Sequence, residues 1–538
     1  MEISLIQNLK FLTLFIIPLF ILFYLIIFHK IVSNKYVIFL THFIIFLLIL
    51  LIFINNYGSN IFIYLFTFQF IFLYIYIRDT KIDSSRLIKT YFFVAISIIL
   101  SLQISTNIYN NNKASTDSDR NYKVLFPSQD NFGDTIKLAV SLEFIFDRSE
   151  VKDIKGINQK FYLDNPYFIE HISLTCKEFK ETPQCSQGIY KNTPRHYGLP
   201  PLYLSTIVVF GYFLKFFNNV FLLITFLSFS MSLLAYMTLK KYFFENRYLY
   251  IFIILSSFPF YFAIQRGNFI SIIVFIILMN VFYKKYFKES LNFYDLFLLS
   301  IIINLRPNLI LIVPLFLYKD NIILFFKNSL KLGISILSIF FLCLKYLSLV
   351  INNYSIEVLV KNFLLYADEL INQYVSYGGD GFNSSLFAFL LMVKESFAEL
   401  FFNLGLNIDS LSREILNELV FIMLITICLY VYYLFVRKKI NLDEAFIILL
   451  ISSLIISPKI ADYYLTLLLI PLFLYLYTKE KNRQQLIIQF FIFFVMLPKP
   501  HSFIEPVYGV SLGLFFNCLS LLFIIYSILF EKNYEKNV

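Results

Sequence analysis

Apolar runs of about 20 residues, parted by short polar interruptions, recur from one end of the chain to the other. As an α-helix rising 1.5 Å per residue, each can cross a bilayer core of roughly 30 Å. The runs lie at about 11–32, 36–54, 60–77, 88–107, 219–239, 248–264, 268–283, 332–351, 416–436, 444–457, 462–477, 485–499 and 509–530. They predict an all-α, polytopic integral membrane protein of about thirteen transmembrane helices. Two apolar stretches resist that simple reading. Two full spans within 201–239 would put Lys240-Lys241 on the wrong side, so 201–217 reads as a short helix embedded in the outer leaflet. In 294–318, Arg306-Pro307 divides the run into halves too short to cross alone. Irregular backbone at depth survives only where it lines protein or a water-filled cavity, which predicts a broken, re-entrant pair dipping towards the outer side. The pattern suggests no internal repeat.

Composition supports this picture. Of 538 residues, 59% are hydrophobic and only 15% charged, with 67 Phe, 39 Tyr and no Trp. A soluble chain would carry about 25% charged residues. A multi-domain soluble enzyme and a disordered chain are both excluded. The net charge of +10 sits largely in short loops beside apolar runs, the positive-inside pattern, and calls for no nucleic-acid partner. Basic loops at 29–35 and 78–89 flank a neutral one at 55–60, which places the N-terminus outside. Further basic markers, Lys240-Lys241 with Arg247, Lys284-Lys285, Lys319 to Lys331, Arg437-Lys438-Lys439 and Lys479 to Arg483, fix the cytoplasmic side downstream. Residues 108–198 and 353–415 then form two large outer loops. Cys343, Cys428 and Cys518 lie in apolar runs as packing residues, whereas Cys176 and Cys185 share the first outer loop, where an oxidising compartment would allow a disulfide. The first apolar run, near Phe11, lacks a small-residue cleavage site, so no cleavable signal peptide is expected.

With that topology the unusual polar residues collect on one side. Asp130 and Asp134 lie in the first outer loop, with Asn165-Pro166-Tyr167 and the exit His196-Tyr197-Gly198-Leu199-Pro200-Pro201. Gln265-Arg266-Gly267-Asn268 forms a short outer turn, and Arg306-Pro307-Asn308 the tip of the broken pair. Asn383-Ser384-Ser385-Leu386 closes the second outer loop; Ser457-Pro458-Lys459 and Asp462-Tyr463-Tyr464 make another turn. Each has a plain structural reading taken alone. Loop acids are usually solvated, Arg266 and Lys459 can snorkel at span ends, and His196-Tyr197 and the prolines can be loop punctuation. Arg306 is harder to dismiss, because an ionisable residue amid apolar runs beside a helix-breaking proline is a functional candidate by default. No phosphate-cradling Gly-rich loop, HExxH, CxxC or GxSxG sequence competes, and five scattered histidines make no metal site.

Taken in order, these clusters resemble the GT-C superfamily of membrane glycosyltransferases, particularly glycosyltransferase family 87, from about Asp130 to Tyr464. The matching elements are Asp134, Asn165-Pro166-Tyr167, Gly198-Leu199-Pro200-Pro201-Leu202 with Tyr197 displaced, Arg266-Gly267-Asn268, Arg306-Pro307, Asn383-Ser384-Ser385-Leu386, and Ser457-Pro458 with Tyr463-Tyr464. Two departures stand out. Asp462 occupies the place where such enzymes often carry a His, and three spans precede the matching part.

The resemblance implies a three-span extension over 1–87, a catalytic membrane core over 88–480 and a two-span segment over 481–538. It implies inverting transfer of a sugar from a polyprenyl-phosphate donor to a lipid-linked or cell-surface glycan acceptor, on the outer face of the cytoplasmic membrane. Asp134 is then the expected general base, with Asp130 second. Arg306, Arg266 and Lys459 would hold the donor phosphate. His196, Tyr197, Asn268, Asn383, Asp462 and Tyr463 would meet substrate. No cofactor is called for, and a divalent metal is neither required nor excluded. The alternatives are a transporter or flippase of lipid-linked sugars, which would show broken helices in two corresponding halves and a midplane site where only one clear break, at Arg306-Pro307, is visible, and a glycan polymerase or ligase.

Overall fold

The computed structural model describes residues 200–530 apart from 219, 244–246, 267, 290, 319–321, 351–354, 362, 365–384, 392, 395–411, 458–461, 479–482 and 497–511. Among the described residues the chain is all-α, 90% helical and without strands. In order come α1 (Pro201–Phe217), α2 (Val220–Tyr242), α3 (Arg247–Ser256), α4 (Phe258–Arg266), α5 (Phe269–Tyr286) and α6 (Phe293–Leu305). A 3-10 turn (Pro307–Ile312) leads into α7 (Val313–Leu317), followed by α8 (Ile322–Val350), α9 (Arg413–Val436) and α10 (Leu442–Ile455). A second 3-10 turn (Asp462–Leu468) leads into α11 (Leu469–Tyr477), then α12 (Arg483–Met496) and α13 (Leu512–Phe530).

Three described helices, α5, α8 and α9, are long and apolar enough to cross a membrane. They are used differently. Most of α5 is buried, with Ile272, Phe275, Leu278, Met279 and Phe282 at 2% exposure or less. By contrast α8 turns Ile323, Phe326, Leu330, Ile334, Leu337 and Phe341 outwards at helical spacing. Water would oppose so long a bare apolar stripe, whereas lipid tails meet it without cost. On α9 the exposed Leu419, Ile422, Leu429 and Tyr433 do the same.

Several expected boundaries move. The run at 248–264 is two helices, because Pro259 in the first turn of α4 lacks an N–H and its ring excludes a continuous turn; Ser257 lies between them. Helix α8 starts at Ile322 rather than 332, so Lys327 and Lys331 are helical residues and not part of a cytoplasmic loop. The break expected at Arg306-Pro307 is where α6 ends.

Against the expectation of no repeat, two stretches share one plan. Helix α5 ends with Lys288 in the left-handed region (φ 61), and Glu289 N donates to Lys284 O at 2.9 Å. Helix α9 ends with Lys438 likewise (φ 55), and Lys439 N donates to Leu434 O at 2.9 Å. Both ends are Schellman turns. Each following helix opens on an asparagine whose N–H is taken by an acid three residues on: Asn292 N to Asp295 Oδ2 (2.7 Å) and Asn441 N to Glu444 Oε2 (2.8 Å). Helices α6 and α10, of 13 and 14 residues, are each followed by a 3-10 turn and then a short helix in which the same five-residue sequence begins, its tyrosine lying just past the end of α7 in the first copy and within α11 in the second. These are Pro314-Leu315-Phe316-Leu317-Tyr318 and Pro471-Leu472-Phe473-Leu474-Tyr475.

Both excursions return to where they began. Lys285 Nζ donates to Tyr318 O (2.8 Å), joining the end of α7 to the last turn of α5, whose Lys284 pairs with Asp295 at the start of α6. The Tyr475 hydroxyl faces the Asp443 carboxylate, joining α11 to the start of α10. The basic turns thus mark one end of the bundle and the helix breaks lie towards the other, about 20 Å away at 1.5 Å per residue of α6.

Candidate functional site

At the far end the two breaks and the N-terminus of α5 enclose a cavity of about 200 Å³. Arg306 enters because α6 stops at Leu305, leaving Arg306 as the one residue between it and Pro307. Its own N–H still closes the last turn onto Ile302 O (2.7 Å), and Leu309 N then bonds back to Arg306 O (3.0 Å). Asn308 fixes the break to the second unit, its Nδ2 donating to Ser453 O at 2.6 Å. From α10 and the second 3-10 turn come Ser457 and Tyr464, and from α5 Ser271.

Arg306 is the one charged side chain among the described residues lining this cavity. Its guanidinium carbon lies 3.6 Å from the centroid of the Tyr464 ring, a cation–π contact at close range. Tyr203 on α1 and Tyr463 stand within electrostatic reach of the same charge. Its Nη2 is buried and has no hydrogen-bond partner. The Tyr464 side chain also takes a hydrogen bond from this guanidinium, so of its five N–H bonds those on Nη2 are the ones left open. The arrangement is a cation under cover with an open donor edge, suited to an oxyanion.

Asn268 has a structural task at the start of α5. It is buried, and its Oδ1 accepts from Ser271 N (3.2 Å) and Ser271 Oγ (2.8 Å), capping α5. Asn268 therefore stands behind the wall and Ser271 in it. Tyr463 braces Tyr464 edge-on, with ring centroids 4.4 Å apart and planes at 84°, and meets Phe262 at 5.9 Å. Arg266 is the last residue of α4 and Asp462 the first of the second 3-10 turn. Asp130, Asp134, His196, Tyr197, Asn383 and Lys459 lie outside the described residues, as do Cys176 and Cys185. Among the described residues no three His, Cys, Asp or Glu side chains gather as metal donors.

The structure thus unites Arg306-Pro307-Asn308, the α5 start after Arg266-Gly267, Ser457 and the Tyr463-Tyr464 pair, segments as far apart in sequence as Ser271 and Tyr464. It adds three residues that the sequence reading did not single out as contacts: Tyr203, Ser271 and Tyr464. No protein family, curated protein or solved structure matches the chain.

Proposed function

We propose that the protein is an integral membrane glycosyltransferase of about thirteen spans, moving a sugar from a polyprenyl-phosphate donor to a lipid-linked or cell-surface glycan on the outer face of the cytoplasmic membrane. The observation that carries this reading is Arg306, its Nη2 unpartnered, opening on a cavity where separate motif segments converge. In the proposed reaction an acceptor hydroxyl attacks the anomeric carbon as the bond from that carbon to the donor phosphate breaks. The hydroxyl proton passes to a carboxylate, Asp134 with Asp130 second, and polyprenyl phosphate departs with the bonding pair. Arg306 stabilises the charge growing on that phosphate, with Arg266 and Lys459 as further cations. His196, Tyr197, Asn383, Asp462 and Tyr463 would shape the sugar and acceptor sites.

A second reading, a carrier of lipid-linked sugar, draws support from the second broken helix, since paired discontinuous helices around a polar site are a transporter device. One assay separates them: transfer of labelled sugar from polyprenyl phosphate in membranes containing the protein. Asp134→Asn removes the base while keeping its shape, so transfer should fall about 10²–10⁴-fold at unchanged protein level. Full transfer by Asp134→Asn, Asp130→Asn and their double variant would sink the carboxylate mechanism. Complete precursor accumulating on the inner leaflet of cells lacking the protein would instead favour the carrier.

A further inference from the structure

Each shared Pro-Leu-Phe-Leu-Tyr stretch is preceded by a break, and the two breaks meet at the cavity with different chemistry. Eight residues ahead of Pro314 stands Arg306; the same place ahead of Pro471 is Tyr463, followed by Tyr464. One unit supplies a cation and the other an aromatic pair. The Tyr464 ring is itself held, by Tyr463 edge-on and by Phe262 and Phe258 beyond, the last two stacked at 5.4 Å. Asn308, bonded to Ser453 O, locks the backbone on the other side of Arg306. The guanidinium is therefore held by Tyr464, and its Nη2 is left open.

We propose that Tyr464 is a positioning residue that holds Arg306 as a one-anion receptor at the junction of the two units, and that the ligand is the phosphate monoester head of a long-chain lipid. This rests on the transferase reading, in which that monoester is the polyprenyl phosphate departing from the phosphodiester donor. A single cation with a planar donor edge suits one phosphoryl group, and the Leu309, Leu454 and Leu467 walls suit the first carbons of an apolar chain.

Because the chain has no Trp, Tyr464→Trp places a single indole, excitable apart from the tyrosines at the red edge of its absorption, on the guanidinium while keeping an aromatic face there. The purified full-length variant is titrated with farnesyl phosphate, farnesol and inorganic phosphate. A saturable emission change with farnesyl phosphate is expected, with none from farnesol and a response to inorganic phosphate only at far higher concentration. The change should vanish when Arg306→Gln is added. Equal responses to farnesol and farnesyl phosphate, or a response surviving Arg306→Gln, would overturn the receptor. Equal affinity for inorganic phosphate would overturn its lipid identity. Should the Trp variant fail to fold, labelled farnesyl phosphate binding decides: Tyr464→Phe should retain wild-type affinity and Tyr464→Leu lose about tenfold. A Leu variant binding as wild type removes the positioning role. Saturable binding without sugar transfer would leave the receptor standing and remove the transferase.

Discussion

At Arg306 a permanent charge is kept among apolar helices by a ring on its face and a backbone pinned through Asn308. Lysine would keep the charge but not the planar fork or the stacking. Arg306→Lys should therefore lower sugar transfer at least about tenfold, measured in membranes normalised for protein level. Wild-type transfer by this variant would show that a point charge suffices. The importance of Arg306 is legible in the sequence, since charge beside proline within an apolar run has few structural uses. Its partner is not. Tyr463 and Tyr464 are chemically identical neighbours, and a 3-10 turn rotates by about 120° per residue. Only the register of that turn decides that Tyr464 meets the guanidinium while Tyr463 buttresses it. Asn268 shows a related ambiguity: a buried asparagine before an apolar helix reads equally as ligand contact or cap.

Among the elements, helix positions are readable from apolar runs, but their ends follow local chemistry that hydropathy averages away. Lys327 and Lys331 suggest a loop, yet they sit four apart on α8, where long basic side chains project outwards. The same helix contains Gly333, around whose added Cβ nothing lies within 4 Å. Gly333→Ala should thus stabilise α8 by about 0.5–1 kcal/mol through backbone entropy alone. Removing the reciprocal cap with Asn292→Ala should destabilise by about 1 kcal/mol. Thermal unfolding of the detergent-solubilised protein checks both. Destabilisation by Gly333→Ala would reveal a close neighbour at that face. Unchanged stability in Asn292→Ala would show that Asp295 is held by Lys284, at 2.6 Å, rather than by the cap. The repeated plan escapes a hydropathy scan because the two breaks differ in length, so the shared segments fall out of step.

For the molecule as a whole, sidedness is an expectation set by the basic turns, and the proposed outer site demands that Asp134, Arg266, Arg306, Asn383 and Lys459 all face away from Lys240. Cysteines placed at these positions one at a time should react with an impermeant reagent only from outside, and a cysteine at 240 only from inside. Labelling of 240 and 266 from the same side would overturn both the single-site proposal and the reading of 201–217 as non-spanning. The bilayer-facing stripes of α8 and α9 and the buried α5 show why hydropathy alone cannot rank the spans: an apolar helix inside the bundle and one against lipid have similar composition.

The hydrogen bond from Lys285 to Tyr318 and the approach of Tyr475 to Asp443 carry a consequence of parity. A segment that sets out from one side and comes back to it adds zero or two crossings, never one. Residues 292–318 and 441–477 can therefore be counted either way without altering the side on which anything after them emerges. The count of crossings within these two segments is ambiguous by an even number, while the relation between the helices that flank each segment is not.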